Sequence, residues 1–146
     1  MVPATRAAAD DASRNTQGFA FEAGQVVQEF GWDEDTDEDL RASIQESTGT
    51  DLVDEYHDDV ADAAIVWWRA DDGDVTDLTD QLVDAQTVLD DGARVWLLTP
   101  KPGRPGHVAP SDIAEAATTA GLHATSSLSV APDWAVTKLD TRGRGR

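Results

Sequence analysis

Two stretches of the chain carry apolar residues almost without a break, Ala63–Arg69 (AAIVWWR) and Arg94–Thr99 (RVWLLT). Continuous rather than alternating apolarity predicts strands covered on both faces, as in a parallel sheet. Between them, Leu78, Leu82, Val83, Ala85 and Leu89 recur at helical spacing over Thr76–Asp90, after the turn Asp71-Asp72-Gly73-Asp74 and before Gly92. A further helix is predicted from Pro110 to Ala120, with Pro110, Ser111 and Asp112 at its start and Gly121 just past its end. Upstream, Gln25–Phe30 (QVVQEF) has strand composition and runs into Gly31. Thr36–Thr48 then reads as a helix. Thr36 is placed to cap it, Asp37, Glu38 and Asp39 suit its positive end, Leu40 and Ile44 share a face, and Gly49 stops it. A short strand is predicted around Asp51–Glu55. Ala124–Val130 and Trp134–Leu139 are the last two strands, and the link Ala131-Pro132-Asp133 is short enough to make them antiparallel neighbours.

Strands alternating with helices across short connections predict an α/β fold: an open, mostly parallel, Rossmann-like sheet with helices on both faces and an antiparallel strand pair at the C-terminus. One such domain is expected over residues 19–140. It would be flanked by an N-terminal arm over 1–18, too poor in large apolar residues to order itself, and by a disordered basic tail over 141–146 (TRGRGR). Trp67, Trp96 and Trp134 fall in predicted strands and are expected in the core, with Trp68 on the opposite face from Trp67.

Length changes this picture little, since 146 residues suit a single domain that needs no covalent staple. Charge changes it more. The chain carries 29 acidic against 11 basic side chains, a formal −18, and it has no cysteine. Disulfides, thiolate metal sites and cysteine nucleophiles are therefore excluded. Residues 29–91 hold 22 acids and 2 bases, a net of −20, whereas residues 92–146 hold 4 acids and 7 bases. Such a surface repels nucleic acid and anionic membrane and points to a basic protein partner. No apolar run approaches the roughly 20 residues that span a bilayer, and the first residues lack a signal-peptide core, so a cytoplasmic protein is expected. Oligomeric state leaves no mark in the sequence.

The stretches GQVVQEFGWDED (24–35), VWWRADDGDVTDLTDQLVDA (66–85), WLLTPKPGRPGHVAPSDIAEAATTAGL (96–122) and DWAVTKL (133–139) closely resemble an actinobacterial domain-of-unknown-function family, DUF3052. The resemblance runs from about Phe19 to Asp140, and the segment Trp96–Leu122 carries most of its specificity. It implies a bacterial cytosolic setting and no established activity. The order of the last elements is also similar to the C-terminal half of class I methyltransferase-like Rossmann domains, a likeness of topology alone. Binding S-adenosylmethionine in that fold requires a glycine-rich turn after the first strand. Here that turn reads Gly31-Trp32-Asp33-Glu34-Asp35, with one glycine, a bulky Trp32 across the approach and three acids that repel phosphate as well.

In an open α/β sheet, ligands sit beyond the carboxyl ends of the strands. That edge should gather Gly31–Asp35, Arg69–Asp74 and the loop Thr99–His107, which holds three prolines, two glycines and the cations Lys101 and Arg104 beside His107. Trp32, Arg69, Lys101, Arg104 and His107 are therefore the candidate anion- or partner-binding residues. The competing reading of the loop is a rigid connector whose cations pair with nearby acids. The acidic run Asp33–Asp39 reads as a solvated helix start. Asp71–Asp77 has part of a calcium-loop pattern but carries Leu82 where the closing glutamate belongs, and reads as a capped turn. His57, His107 and His123 lack metal spacing, and Ser111 sits in a helix first turn, where a local capping role outweighs a nucleophilic one. The residues thus point to no cofactor, no metal and no catalytic set. They describe a non-enzymatic α/β domain that works by protein interaction. The alternative is a small-molecule or anion-binding Rossmann-like protein, a degenerate methyltransferase-like site with residual activity.

Overall fold

The computed structural model describes residues 21–141. Five strands form one sheet: β1 (Val27–Phe30), β2 (Ala61–Trp67), β3 (Leu89–Pro100), β4 (Leu122–Ser129) and β5 (Trp134–Thr141), in the order β1-β2-β3-β5-β4. β1, β2 and β3 are parallel, while β5 runs antiparallel to both β3 and β4. The predicted open, mostly parallel sheet with an antiparallel C-terminal pair is what forms.

Both faces of the sheet are covered, which is why its central strands read as unbroken apolar runs. Helix α1 (Glu38–Thr48) lays Leu40 and Ile44 on one face, against Val27, Ile65, Trp67, Trp96 and Trp134. Helices α2 (Val75–Ala85) and α3 (Pro110–Thr119) cover the other, where Leu78, Leu82, Ile113 and Ala116 meet Phe30, Val66, Trp68 and Leu97. Trp67 and Trp68 therefore face opposite ways, both buried. Burying one indole of this size stabilises by roughly 4–6 kcal/mol in area terms.

Several element ends differ from the pattern-based expectation, for local reasons. The cap of α1 is Asp37, not Thr36: Asp37 Oδ1 accepts from the Leu40 amide at 2.8 Å, while Thr36 donates its hydroxyl to the Asp33 carbonyl. The capped turn before α2 forms as expected, with Asp74 and Asp77 satisfying each other's amides. α2 stops at Ala85 instead of Asp90, because Gln86 folds its amide back onto the Leu82 and Ala120 carbonyls. Leu89 then opens β3 opposite Ala61 and reaches the α2-side core from a strand, so its helical spacing was coincidental. The strand expected around Asp51–Glu55 shrinks to one parallel bridge, Gln28 to Val53. α3 begins after Ala109 with Pro110 in its first turn and no side-chain cap, so Ser111 does not cap it. β5 runs two residues past the expected Leu139. The arm over 1–18 and the tail beyond Thr141 lie outside the described residues.

Candidate functional site

The carboxyl edge of the parallel strands is where this fold would present a ligand, and the first turn there is closed from within. Gly31 leaves β1 with φ +77°, and a Cβ on it would lie 2.2 Å from the Trp67 carbonyl oxygen. The turn is thus packed directly on the end of β2. Arg69, just beyond β2, points its guanidinium back into the remaining space. Its Nη1 donates to the Gly31 carbonyl at 2.8 Å, its Nε to Asp35 Oδ2 at 3.0 Å, its Nη2 to Asp35 Oδ1, and Nη1 also reaches Asp72 Oδ2 at 3.3 Å. The indole of Trp134 lies beneath it, 5.3 Å from the guanidinium carbon, and donates Nε1 to the Asp35 carbonyl. Trp134 in turn meets Trp67 edge-on at 4.8 Å.

This clamp is electrostatically settled. Burial opposes the charge on Arg69, but the hydrogen bonds and charges of Asp35 and Asp72 outweigh it and hold its pKa above the ordinary value. The Arg69 hydrogen bond in turn keeps the Asp35 carboxyl below the usual carboxylate range. Only 12% of the Arg69 side chain is exposed, so the one cation inside this turn is committed to protein groups.

A second network lies behind it. Glu29, buried in β1, accepts Arg41 Nε at 2.7 Å and Nη2 at 2.8 Å, and takes the Trp67 indole N–H at 2.8 Å. Arg41 also pairs with Glu38, whose other oxygen accepts from Trp32 Nε1, and its guanidinium sits 5.9 Å above the Trp32 ring. Hydrogen bonds from Arg41 and Trp32 lower the Glu38 pKa, and those that Arg41 donates to Glu29 and Glu38 raise its own. Trp32 is therefore drawn out over α1 and is 52% exposed. It does not lie across the approach as expected from sequence; Arg69 does the closing.

The proline loop folds against this clamp. The Gly106 carbonyl accepts from the Ala70 amide at 2.8 Å, and a Cβ on Gly106 would press on Arg69 and Pro100. Arg104 Nε pairs with Asp133 at 3.1 Å, the Lys101 amide donates to the Asp133 carbonyl, and His107 Nδ1 donates to the Pro100 carbonyl at 2.9 Å. The fold thus brings Arg69 beside the Lys101–His107 loop and sets Trp32 apart on α1. His107 borders two cavities: one of about 160 Å³ beside Trp68, Asp74 and Asp112, and a more apolar one of about 330 Å³ beside Pro102, Ile113 and Thr137. Another of about 400 Å³ opens next to β1, beside Gln28 and His57. None of these three is lined by Gly31, Trp32, Asp35 or Arg69. Among the described residues, no three His, Asp or Glu side chains are grouped as a metal ion would need.

Sequence reasoning named Arg69 but missed its partners Asp35 and Trp134, and missed Glu29 and Gln28 altogether. A signal was present for the last two: a charged and an amide side chain within an otherwise apolar strand must each find hydrogen-bond partners.

A family model described as "Protein of unknown function (DUF3052)" matches residues 16–143. An uncharacterized protein of Mycobacterium tuberculosis, Rv2239c, is 47% identical over 135 residues, covering 92% of this chain and 83% of its own, and a Mycobacterium bovis protein, Mb2263c, matches equally. Among solved structures, the mitomycin 7-O-methyltransferase MmcR superposes with a TM-score of 0.66 at 13% identity over 92% of this chain. The chain spans just over half (54%) of that enzyme's length. The CcbJ methyltransferase of Streptomyces caelestis gives 0.60 at 10% identity, covering 92% of this chain and 90% of that one. At such identities the likeness is one of fold.

Proposed function

The chain belongs to the DUF3052 family of proteins of unknown function, and we propose that it is a non-enzymatic α/β module of the cytoplasm that acts by binding a basic protein. The observation that carries this reading is the Arg69 clamp. In a methyltransferase-like frame, the turn after the first strand must bring backbone amides to open space. Here that space holds a guanidinium bonded to Gly31, Asp35 and Asp72. The partner's character follows from charge: the only two cations in residues 29–91, Arg41 and Arg69, are both paired internally, so the exposed acids of that segment face solvent as a net anionic surface. Docking on such a surface is steered by charge and weakened by salt.

Isothermal titration calorimetry tests the first half of the reading. S-adenosylmethionine and its demethylated product should give no heat with the wild-type chain, and one-to-one binding of either overturns the proposal. For the second half, a partner cross-linked in the native host should be basic, and its affinity should fall at least ten-fold between 20 and 200 mM salt; a salt-insensitive partner contradicts it. A second reading, a degenerate site that keeps a small anionic ligand, is favoured by the cationic Lys101–His107 loop, which borders the 330 Å³ cavity at Pro102 and His107. Thermal stabilisation by phosphate or a nucleotide that disappears on joint Lys101→Ala and Arg104→Ala substitution would put that reading first.

A further inference from the structure

The 400 Å³ cavity beside β1 contains two buried polar atoms with no hydrogen-bond partner among the described residues, Gln28 Oε1 and His57 Nε2. Gln28 is 2% exposed, and its orientation is set: Nε2 donates to the carbonyls of Asp54 and His57, each at 3.1 Å. Its oxygen is thereby left without a donor, an unfavourable arrangement for a buried amide unless something else supplies one. In the neutral imidazole that leaves Nε2 unprotonated, His57 presents a second acceptor on the same cavity.

The rest of the lining selects the donor. Glu55, Asp58 and Asp84 are exposed carboxylates around the cavity, and among the described residues no lysine or arginine lines it, so anions are disfavoured. The absence of a metal-type cluster among the described residues argues against a bare divalent ion. An ammonium group matches all of these features, since it carries three donors and a positive charge. The volume exceeds what one ammonium needs, and Tyr56, 82% exposed, offers a ring along which a methylene chain can lie.

We propose that this cavity binds a linear alkyl diamine or polyamine. One ammonium donates to Gln28 Oε1 and His57 Nε2, and the other is held among Glu55, Asp58 and Asp84. This site is separate from the Arg69 clamp and stands whether or not the chain docks a protein partner.

The experiment is calorimetry on the full chain with 1,4-diaminobutane and spermidine, with 1-aminobutane, 1,4-butanediol and a lysine-containing peptide as comparisons. Saturable one-to-one binding is expected for the two amines, stronger than for 1-aminobutane, with no heat from the diol. Joint Asp58→Asn and Asp84→Asn substitution should weaken it about five-fold. The pair Asp33→Asn and Asp39→Asn, outside the cavity and equal in charge removed, should leave it unchanged. Gln28→Leu should abolish the preference for diamine over monoamine; because that change also removes the core hydrogen bonds to the Asp54 and His57 carbonyls, the exposed-carboxylate pair tests the site without touching the core. Equal weakening by both carboxylate pairs would mean diffuse attraction to an acidic surface and overturn the proposal. So would absence of heat from both amines, or binding of the peptide alone.

Discussion

Replacing Arg69 by alanine empties the turn between β1 and α1 and strips several partners at once. The Gly31 carbonyl loses a charged donor at 2.8 Å, in a position only partly open to water; hydrogen bonds to charged groups contribute about 1.5–3 kcal/mol. Asp35 is half exposed, so its two-pronged pair with Arg69 is discounted to about 0.5–1 kcal/mol. The contact with Trp134 at 5.3 Å adds about 0.5–1 kcal/mol. Water entering the vacated turn recovers part of this, leaving a loss of about 3 kcal/mol. For a domain of this size that lowers the melting temperature by about 10 °C. Urea unfolding at pH 7 should show a lower midpoint with an unchanged slope, because the same surface is exposed on unfolding. Arg104→Ala, which removes an exposed pair with Asp133, should cost less than 1 kcal/mol in the same assay. Arg69→Lys should fall between the two, since an ammonium cannot reproduce the paired contacts to Asp35. If Arg69→Ala and Arg104→Ala destabilise equally, the guanidinium is not holding the turn shut.

Gly31→Ala should cost at least 3 kcal/mol, because positive φ and the approach to the Trp67 carbonyl add together; Gly49→Ala, at φ +76° with open space around it, should cost about 1 kcal/mol and isolates the approach. Arg41→Ala should lose about 3–5 kcal/mol by chemical unfolding, since it leaves the buried Glu29 carboxylate with only the Trp67 N–H. For Asp35→Asn, the loss of about 1 kcal/mol at pH 7 should shrink as pH falls below about 4. The folded carboxyl titrates below its unfolded value, so its contribution is present above that value and disappears as it protonates. A difference that persists undiminished at pH 2 would contradict the ion pair.

The layered sheet was readable because strands buried on both faces leave a mark no surface element leaves: AAIVWWR and RVWLLT have no polar side to alternate. Gly49 announced the end of α1 correctly, its φ of +76° being the reason glycine stands there. Boundaries failed where a residue serves the same core from a different element, as Leu89 does, or where two neighbouring residues can both cap, as Thr36 and Asp37 can. The clamp was half visible. Arg69 was recognisable as a cation at the strand edge, but Asp35 lies 34 residues away and Trp134 on the last strand, and nothing local couples such distant positions. That one of several acids in 33–39 would pair with Arg69, while Trp32 turned toward Arg41, depends on packing that no residue pattern records.

The last strand is threaded between its two predecessors: β5 pairs with β3 on one side and β4 on the other, and among the described residues β4 has no second strand beside it. A ribosome therefore delivers β3 and β4 before the piece that joins them exists. Until Trp134–Thr141 leaves the exit tunnel, the flank of β3 with Val95 and Leu97 is unzipped, and β4 has no strand to pair with. A nascent chain stalled before Trp134 would thus lack two strands' worth of ladder rather than one, and would be the form most in need of a chaperone.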